Sequence, residues 1–270
     1  VELLDLVLDQ RKTLLRRPFM IGSIAGDIIG SVYERHGITV KKFPLFRESS
    51  HFTDDTVLTV ATAHCLLTGI GYAEAYRSFG RAPPDRGYGG SFRKWVFHPE
   101  RGPYNSCGNG SAMRVGPVGF ACGSIEEVLS EAQRSAEVTH DHPEGIKGAQ
   151  AVALAVYLAR TGVDKDEIKR EIAGRFGYHL NRKLDDIRGD YVFNLTCQGS
   201  VPEAVIAFIE AEGVEDAIRN AISLGGDADT QACIAGGIAE AFHGGVPPAI
   251  EAEARIRLPE DFLATIDAFY

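Results

Sequence analysis

GGDADTQACIAGGIAEAF, residues 225–242, puts two glycines and two aspartates at the doorstep of a run of alanine, glycine and isoleucine. Such small apolar side chains fit a helix packed inside a protein, and the pattern predicts helix over 230–243. Acidic residues at that start have an ordinary explanation. Asp227 fits an N-cap, and carboxylates in a first turn complement the helix dipole by about 0.3–1 kcal/mol each.

A second stretch has the same grammar. In FTDDTVLTVATAHCLL, residues 52–67, Thr53, Asp54 and Asp55 precede a helix rich in valine, leucine and alanine, with Thr53 as the expected N-cap. If the two helices pack together, four carboxylates and two threonine hydroxyls converge, and like charges at close range require a cation or large pKa shifts. Oxygen ligands without imidazole or thiolate suit a hard cation such as Mg²⁺ or Mn²⁺. The pairing therefore points to a two-metal site of Thr53, Asp54, Asp55, Asp227, Asp229 and Thr230, with plain capping as the alternative.

Working outward, helical patterns dominate. They cover 21–36, 53–68, 72–80, 111–121, 124–138, 144–160, 164–175, 201–211, 214–223, 230–243 and 259–268, separated by Gly-, Pro- and Asn-rich punctuation such as RAPPDRGYGG and GPYNSCGNGS. KKFPLF and DYVFNL are the only short strand candidates. The expectation is one compact all-α domain over 20–270 with long functional loops. Residues 1–19 form an amphipathic helical pattern ending at Pro18, read as an extension without chemistry of its own.

The 270 residues are 44% hydrophobic and 24% charged, with a net charge of −9. That charge argues against direct nucleic-acid binding but not against a nucleotide ligand, since a bound divalent cation supplies positive charge locally. Five cysteines, at 65, 107, 122, 197 and 233, show neither CxxC pairs nor zinc spacing, which suggests reduced thiols in a cytoplasmic protein. No apolar run is long enough to span a membrane.

Three further stretches bear on function. In GSIAGDIIGSVYE, Gly22, Gly26 and Gly30 share a helical face. Each costs about 1 kcal/mol relative to alanine, so they imply close approach by a neighbouring backbone. Glu34 follows near the same face, where a carboxylate opposes the helix dipole unless something positive sits nearby; a solvated surface glutamate is the plain alternative. YNSCGNGSAMRVGPVGF, residues 104–120, is an Asn/Gly/Ser loop before a helix start, suited to a phosphate or simply a tight turn. His140-Asp141 resembles the core dipeptide of HD phosphohydrolases, a second enzyme reading in which both would be metal ligands.

TDDT, GDADT, the glycine helix ahead of Glu34 and GNGSAMR, taken together and in their positions along the chain, resemble the ADP-ribosylglycohydrolase family. The resemblance runs from about Met20 to Pro248. That family includes dinitrogenase-reductase-activating glycohydrolases and hydrolases of ADP-ribosylarginine and ADP-ribosylserine. The resemblance implies an all-α orthogonal multi-helix bundle with two Mg²⁺ or Mn²⁺ ions. Thr53, Asp54, Asp55 and Asp229 would hold one ion and Asp227, Asp229 and Thr230 the other. Glu34, or a metal-bound aspartate such as Asp55, would activate water. Ser106, Cys107, Gly108, Asn109 and His140 would hold ADP-ribose, with Cys107 standing where some relatives carry an aromatic residue. The implied activity is hydrolysis of an ADP-ribosyl bond to arginine on a protein, by a monomer. Serine-linked or small-molecule conjugates are alternative substrates, and a crystallin-like member without catalysis is an alternative class.

Overall fold

Three glycines on one helical stripe decide how this chain packs. In the computed structural model, which describes residues 20–82 and 86–269, helix α1 (Ile21–Gly30) has every residue buried. A Cβ at Gly22 would stand 2.4 Å from the Gly236 carbonyl oxygen, one at Gly26 2.1 Å from that of Ala232, and one at Gly30 2.5 Å from Asp229 Cα. The close approach expected of this face is present. Its partner numbers fall as the α1 numbers rise, so the two helices run antiparallel. Three helical glycines cost about 3 kcal/mol. Burial of Ile21, Ile24, Ile28 and Ile29 outweighs this at about 1.5–3 kcal/mol each.

The elements that follow are α2 (Asp54–Thr68), α3 (Tyr72–Arg81), α4 (Gly90–Phe97), α5 (Gly110–Met113), α6 (Gly116–Ala121), α7 (Ile125–Glu137) and α8 (Pro143–Arg160). Then come α9 (Lys165–Phe176), α10 (Leu184–Arg188), α11 (Cys197–Ile209), α12 (Val214–Ile222), α13 (Ala228–His243), α14 (Pro248–Arg255) and α15 (Glu260–Ala268). α13 is the central rod, packed by α1, α8, α11 and α12. Among the described residues there is no strand, only one isolated antiparallel bridge between Gly108 and Thr196. The fold class is all-α, as the periodicity predicts. The expected helix before Pro18 lies outside the described residues.

Several boundaries differ for identifiable reasons. The helix expected over 111–121 is two, α5 and α6. A continuous helix would give the Met113 carbonyl to the N–H of residue 117, which is proline. That carbonyl accepts instead from Thr59 Oγ1 and Cys233 Sγ, both at 3.4 Å. α11 starts four residues before the expected 201, because the Thr196 side chain caps it by accepting from Gly199 N. KKFPLF is a loop held by side chains: Phe43 packs on Tyr33 at 4.9 Å, and the Lys41 and Phe43 carbonyls accept from Arg219. DYVFNL is likewise irregular.

Candidate active site

The antiparallel packing carries the end of α1 to the start of α13, and the start of α2 joins them. Carboxylate oxygens of Asp27, Asp55 and Asp229 lie within 4.8 Å of one another, as do those of Glu34, Asp227 and Asp229. Asp229 belongs to both groups. The Thr230 hydroxyl donates to Asp55 Oδ2 at 3.4 Å, which ties the two helix starts directly. Asp54 is half-buried and lines the same cavity, but is in neither group. The cavity holds about 520 Å³, within the usual range for a small-molecule site.

Thr53 caps α2, its side chain accepting from Asp55 N. Asp227 occupies the N-cap position of α13 but makes no capping bond. Its Oδ2 accepts instead from Asn109 Nδ2 at 2.6 Å, so the capping explanation fails at this end. Glu34 does not end a helix. α1 stops at Gly30, and Tyr33 N donates to the Gly30 carbonyl in the turn that follows. The buried Tyr33 is pinned through its hydroxyl to the Pro44 carbonyl, which draws the chain off the helix axis. Gly37 then meets the 225–230 turn so closely that a Cβ there would stand 2.4 Å from the Gly225 carbonyl oxygen. Glu34 reaches the cluster through this turn rather than along the glycine face.

Asp27 is the residue the sequence reading missed. It is fully buried, and its carboxylate accepts from the backbone N–H and hydroxyl of both Thr53 and Thr56. Thr53 Oγ1 donates to Asp27 Oδ1 at 2.7 Å, which leaves the oxygen lone pairs of that hydroxyl turned to Asp55 N and the cluster. Asp27 thus fastens α1 to the start of α2 and orients Thr53. The signal was a lone aspartate on the face of an otherwise apolar, glycine-striped helix.

Burial raises Asp54, Asp55 and Asp229 well above the usual carboxylate range, and neighbouring carboxylates push the same way. Asp227 is raised to about 6 by burial, against the opposing hydrogen bond from Asn109. Burial also raises Asp27, despite its four donors. Asp55 Oδ1 is buried with no hydrogen-bond partner among the described residues. Converging buried carboxylates, two threonine hydroxyls and an orphaned acceptor form the donor set of a hard divalent cation, so the residues present fit one.

The Asn/Gly/Ser loop forms one wall. Ser106, Gly108, Asn109 and His140 line the cavity, with Phe193 and Leu195 at its edge. Cys107 is not among the lining residues; its carbonyl accepts from Cys197 N at 2.9 Å and helps hold the loop. Asn109 is buried, its amide nitrogen spent on Asp227 and on Ser200 Oγ, so it fixes the Asp227 carboxylate as well as lining the wall. His140 is buried and its pKa is lowered well below the usual value by burial and by the Arg114 charge. Asp141 is exposed and accepts from Asn105 N at 2.6 Å. No acidic or metal-ligating group among the described residues includes His140 or Asp141, so the geometry gives the HD phosphohydrolase reading no support.

Comparison with known proteins identifies the family and the fold. The ADP-ribosylglycohydrolase family profile matches residues 16–267. ADP-ribosylhydrolase ARH3 of Homo sapiens is 29% identical over 316 residues, covering 84% of this chain and 85% of that protein. ADP-ribosylarginine hydrolase Tri1 of Pseudomonas putida is 30% identical over 157 residues, covering 53% of this chain and 41% of that one. A solved structure described as an ADP-ribosylglycohydrolase-related protein complex superposes with a TM-score of 0.71 at 24% identity, over 93% of this chain and 95% of that one, and so shares the fold. The acidic cluster at the junction of three helices thus sits in a chain that belongs to the ADP-ribosylglycohydrolase family, an enzyme of that class.

Proposed function

We propose that the chain hydrolyses the glycosidic bond between ADP-ribose and an arginine side chain, with two divalent cations held by Asp54, Asp55, Asp227, Asp229 and the hydroxyls of Thr53 and Thr230. The observation that carries this reading is Asp229 shared between two carboxylate groups on the floor of a nucleotide-sized cavity. Cations bound there supply charge neutralisation and Lewis-acid polarisation of ribose hydroxyls. Mg²⁺ and Mn²⁺ both suit the all-oxygen donor set.

The protein's own groups do the rest. Glu34, half-buried at the cavity and close to Asp227 and Asp229, accepts the proton of the attacking water. Water oxygen bonds to the anomeric carbon as the bond to the acceptor nitrogen breaks, through an oxocarbenium-like state. The proton that Glu34 takes from the water passes to the departing guanidino nitrogen, so arginine leaves protonated and Glu34 returns to its carboxylate. The Ser106–Asn109 loop and His140 hold the diphosphate side. Arginine as acceptor is supported by the similarity to the Tri1 arginine hydrolase. Release of ADP-ribose from arginine-linked and serine-linked peptides, with Mg²⁺, with Mn²⁺ and with chelator, tests the reading. Cation-dependent release from the arginine peptide is expected. Release from the serine peptide alone would overturn the acceptor, and release from neither would overturn the activity.

A further inference from the structure

Arg114 is fully buried beside the cavity, and its guanidinium lies over the Tyr76 ring at 4.2 Å. Its Nη2 donates to the Ser135 carbonyl and to Thr139 Oγ1, both at 2.8 Å. Its Nε and Nη1 have no hydrogen-bond partner among the described residues, so the ring face is their main company. Thr139 Oγ1 in turn stands 2.7 Å from His140 Nδ1. At the far side of the imidazole, Nε2 lies against the glycine loop: a Cβ at Gly110 would be 3.3 Å from it, and one at Gly108 3.6 Å.

We infer that Arg114 and Thr139 are positioning residues that hold His140 with its proton on Nε2, aimed at the diphosphate of the bound ligand. The inference rests on the reading of this cavity as an ADP-ribose site.

A guanidinium only donates, so Thr139 Oγ1 must accept from Arg114. Its own hydrogen is then free to point at Nδ1, which accepts only when unprotonated. A hydroxyl that accepts from a cation is also polarised to donate more strongly onward. The opposite tautomer would turn an N–H toward a buried positive charge; this one turns a lone pair toward it. Tyr104 is a further polar group beside the hydroxyl. Burial raises its phenol to about 12, so it stays neutral and can fill the remaining Thr139 lone pair as a donor. Burial and the Arg114 charge both disfavour an imidazolium. His140 therefore serves as a neutral N–H donor to an anionic oxygen, and no described residue accepts that proton in its place.

Two measurements on the full chain test this. Imidazole ¹H–¹⁵N correlations, with His140→Gln identifying the signal, should show His140 as the Nε2–H tautomer near neutral pH. An Nδ1–H tautomer or an imidazolium would overturn the inference. Thr139→Val removes the relay; cation content should survive while the ADP-ribose dissociation constant rises about tenfold, the worth of one hydrogen bond to a charged group. Thr139→Ser keeps the hydroxyl and should stay close to the parent. Parent-like affinity in Thr139→Val would overturn the relay, and if that variant does not fold, a large loss of affinity in Thr139→Ser would do so. Failure of the parent chain to bind ADP-ribose would instead sink the pocket reading, with the tautomer spectrum still deciding the relay.

Discussion

At the scale of single residues, the site depends on carboxylates whose surroundings give each a different task. Asp27 is saturated by four donors and fastens two elements, whereas Asp55 keeps a buried oxygen without a partner. Glu34 lines the cavity, as the proton acceptor proposed above must. Glu34→Gln keeps volume and removes charge, so kcat should fall about 10²–10⁴-fold with cation content unchanged; steady-state kinetics with metal analysis check this. Asn109→Ala should act twice. It opens the ligand wall and strips Asp227 of its 2.6 Å donor, so cation affinity should fall along with ADP-ribose affinity. Titration calorimetry with Mn²⁺ alone separates the two, and an unchanged Mn²⁺ affinity would make Asn109 a wall residue only. The two D/T clusters were legible because both carry helix-start grammar. Asp27 was not, because its partners lie 26 and 29 residues away, and nothing local marks a buried acceptor.

At the scale of elements, the α1–α13 contact places the site, and its glycine stripe was readable from spacing alone. What spacing does not reveal is the partner, or the turn after Gly30 that swings Glu34 inward. Gly26→Ala should be destabilising although alanine favours helix, because the new Cβ would stand 2.1 Å from a backbone oxygen. A loss of about 1–3 kcal/mol is expected, and with it activity. Gly174 in α9 is the internal control. It is exposed with nothing within 4 Å of its Cβ position, so Gly174→Ala should stabilise by about 0.5–1 kcal/mol. Denaturant melts of the pair give the two signs, and a Gly26→Ala protein as stable as the parent would contradict the packing account. The same contact carries a buried titrating group. Glu240 accepts from Gly22 N at 2.8 Å, and burial raises it from 4.5 to about 8. An acid raised on folding binds its proton more tightly in the native state, so it costs nothing below about pH 4.5. The cost grows as pH rises toward 8. Glu240→Gln should therefore flatten the stability–pH curve over that window and exceed the parent in stability above pH 8.

At the scale of the whole molecule, the all-α class and most helices follow from periodicity, while the breaks follow from tertiary partners. Pro117 splits a predicted helix, and Phe43 and Tyr33 hold a loop where KKFPLF suggested a strand. The same scale holds the acidic cluster's energetic consequence. Without cations, burial and neighbouring carboxylates raise Asp54, Asp55, Asp227 and Asp229, so each binds its proton more tightly folded than unfolded. Stability should therefore fall as pH rises through and beyond the ordinary carboxylate range. A bound divalent cation should remove much of that fall, which thermal melts with and without Mn²⁺ at several pH values would show. The most direct measurement of the central claim is the number of Mn²⁺ ions bound per chain at neutral pH, in the parent and in Asp229→Ala. Two in the parent, and fewer than one in the variant with loss of ADP-ribosyl hydrolysis, is the predicted result. Two ions retained by Asp229→Ala, or none bound by the parent, would contradict it.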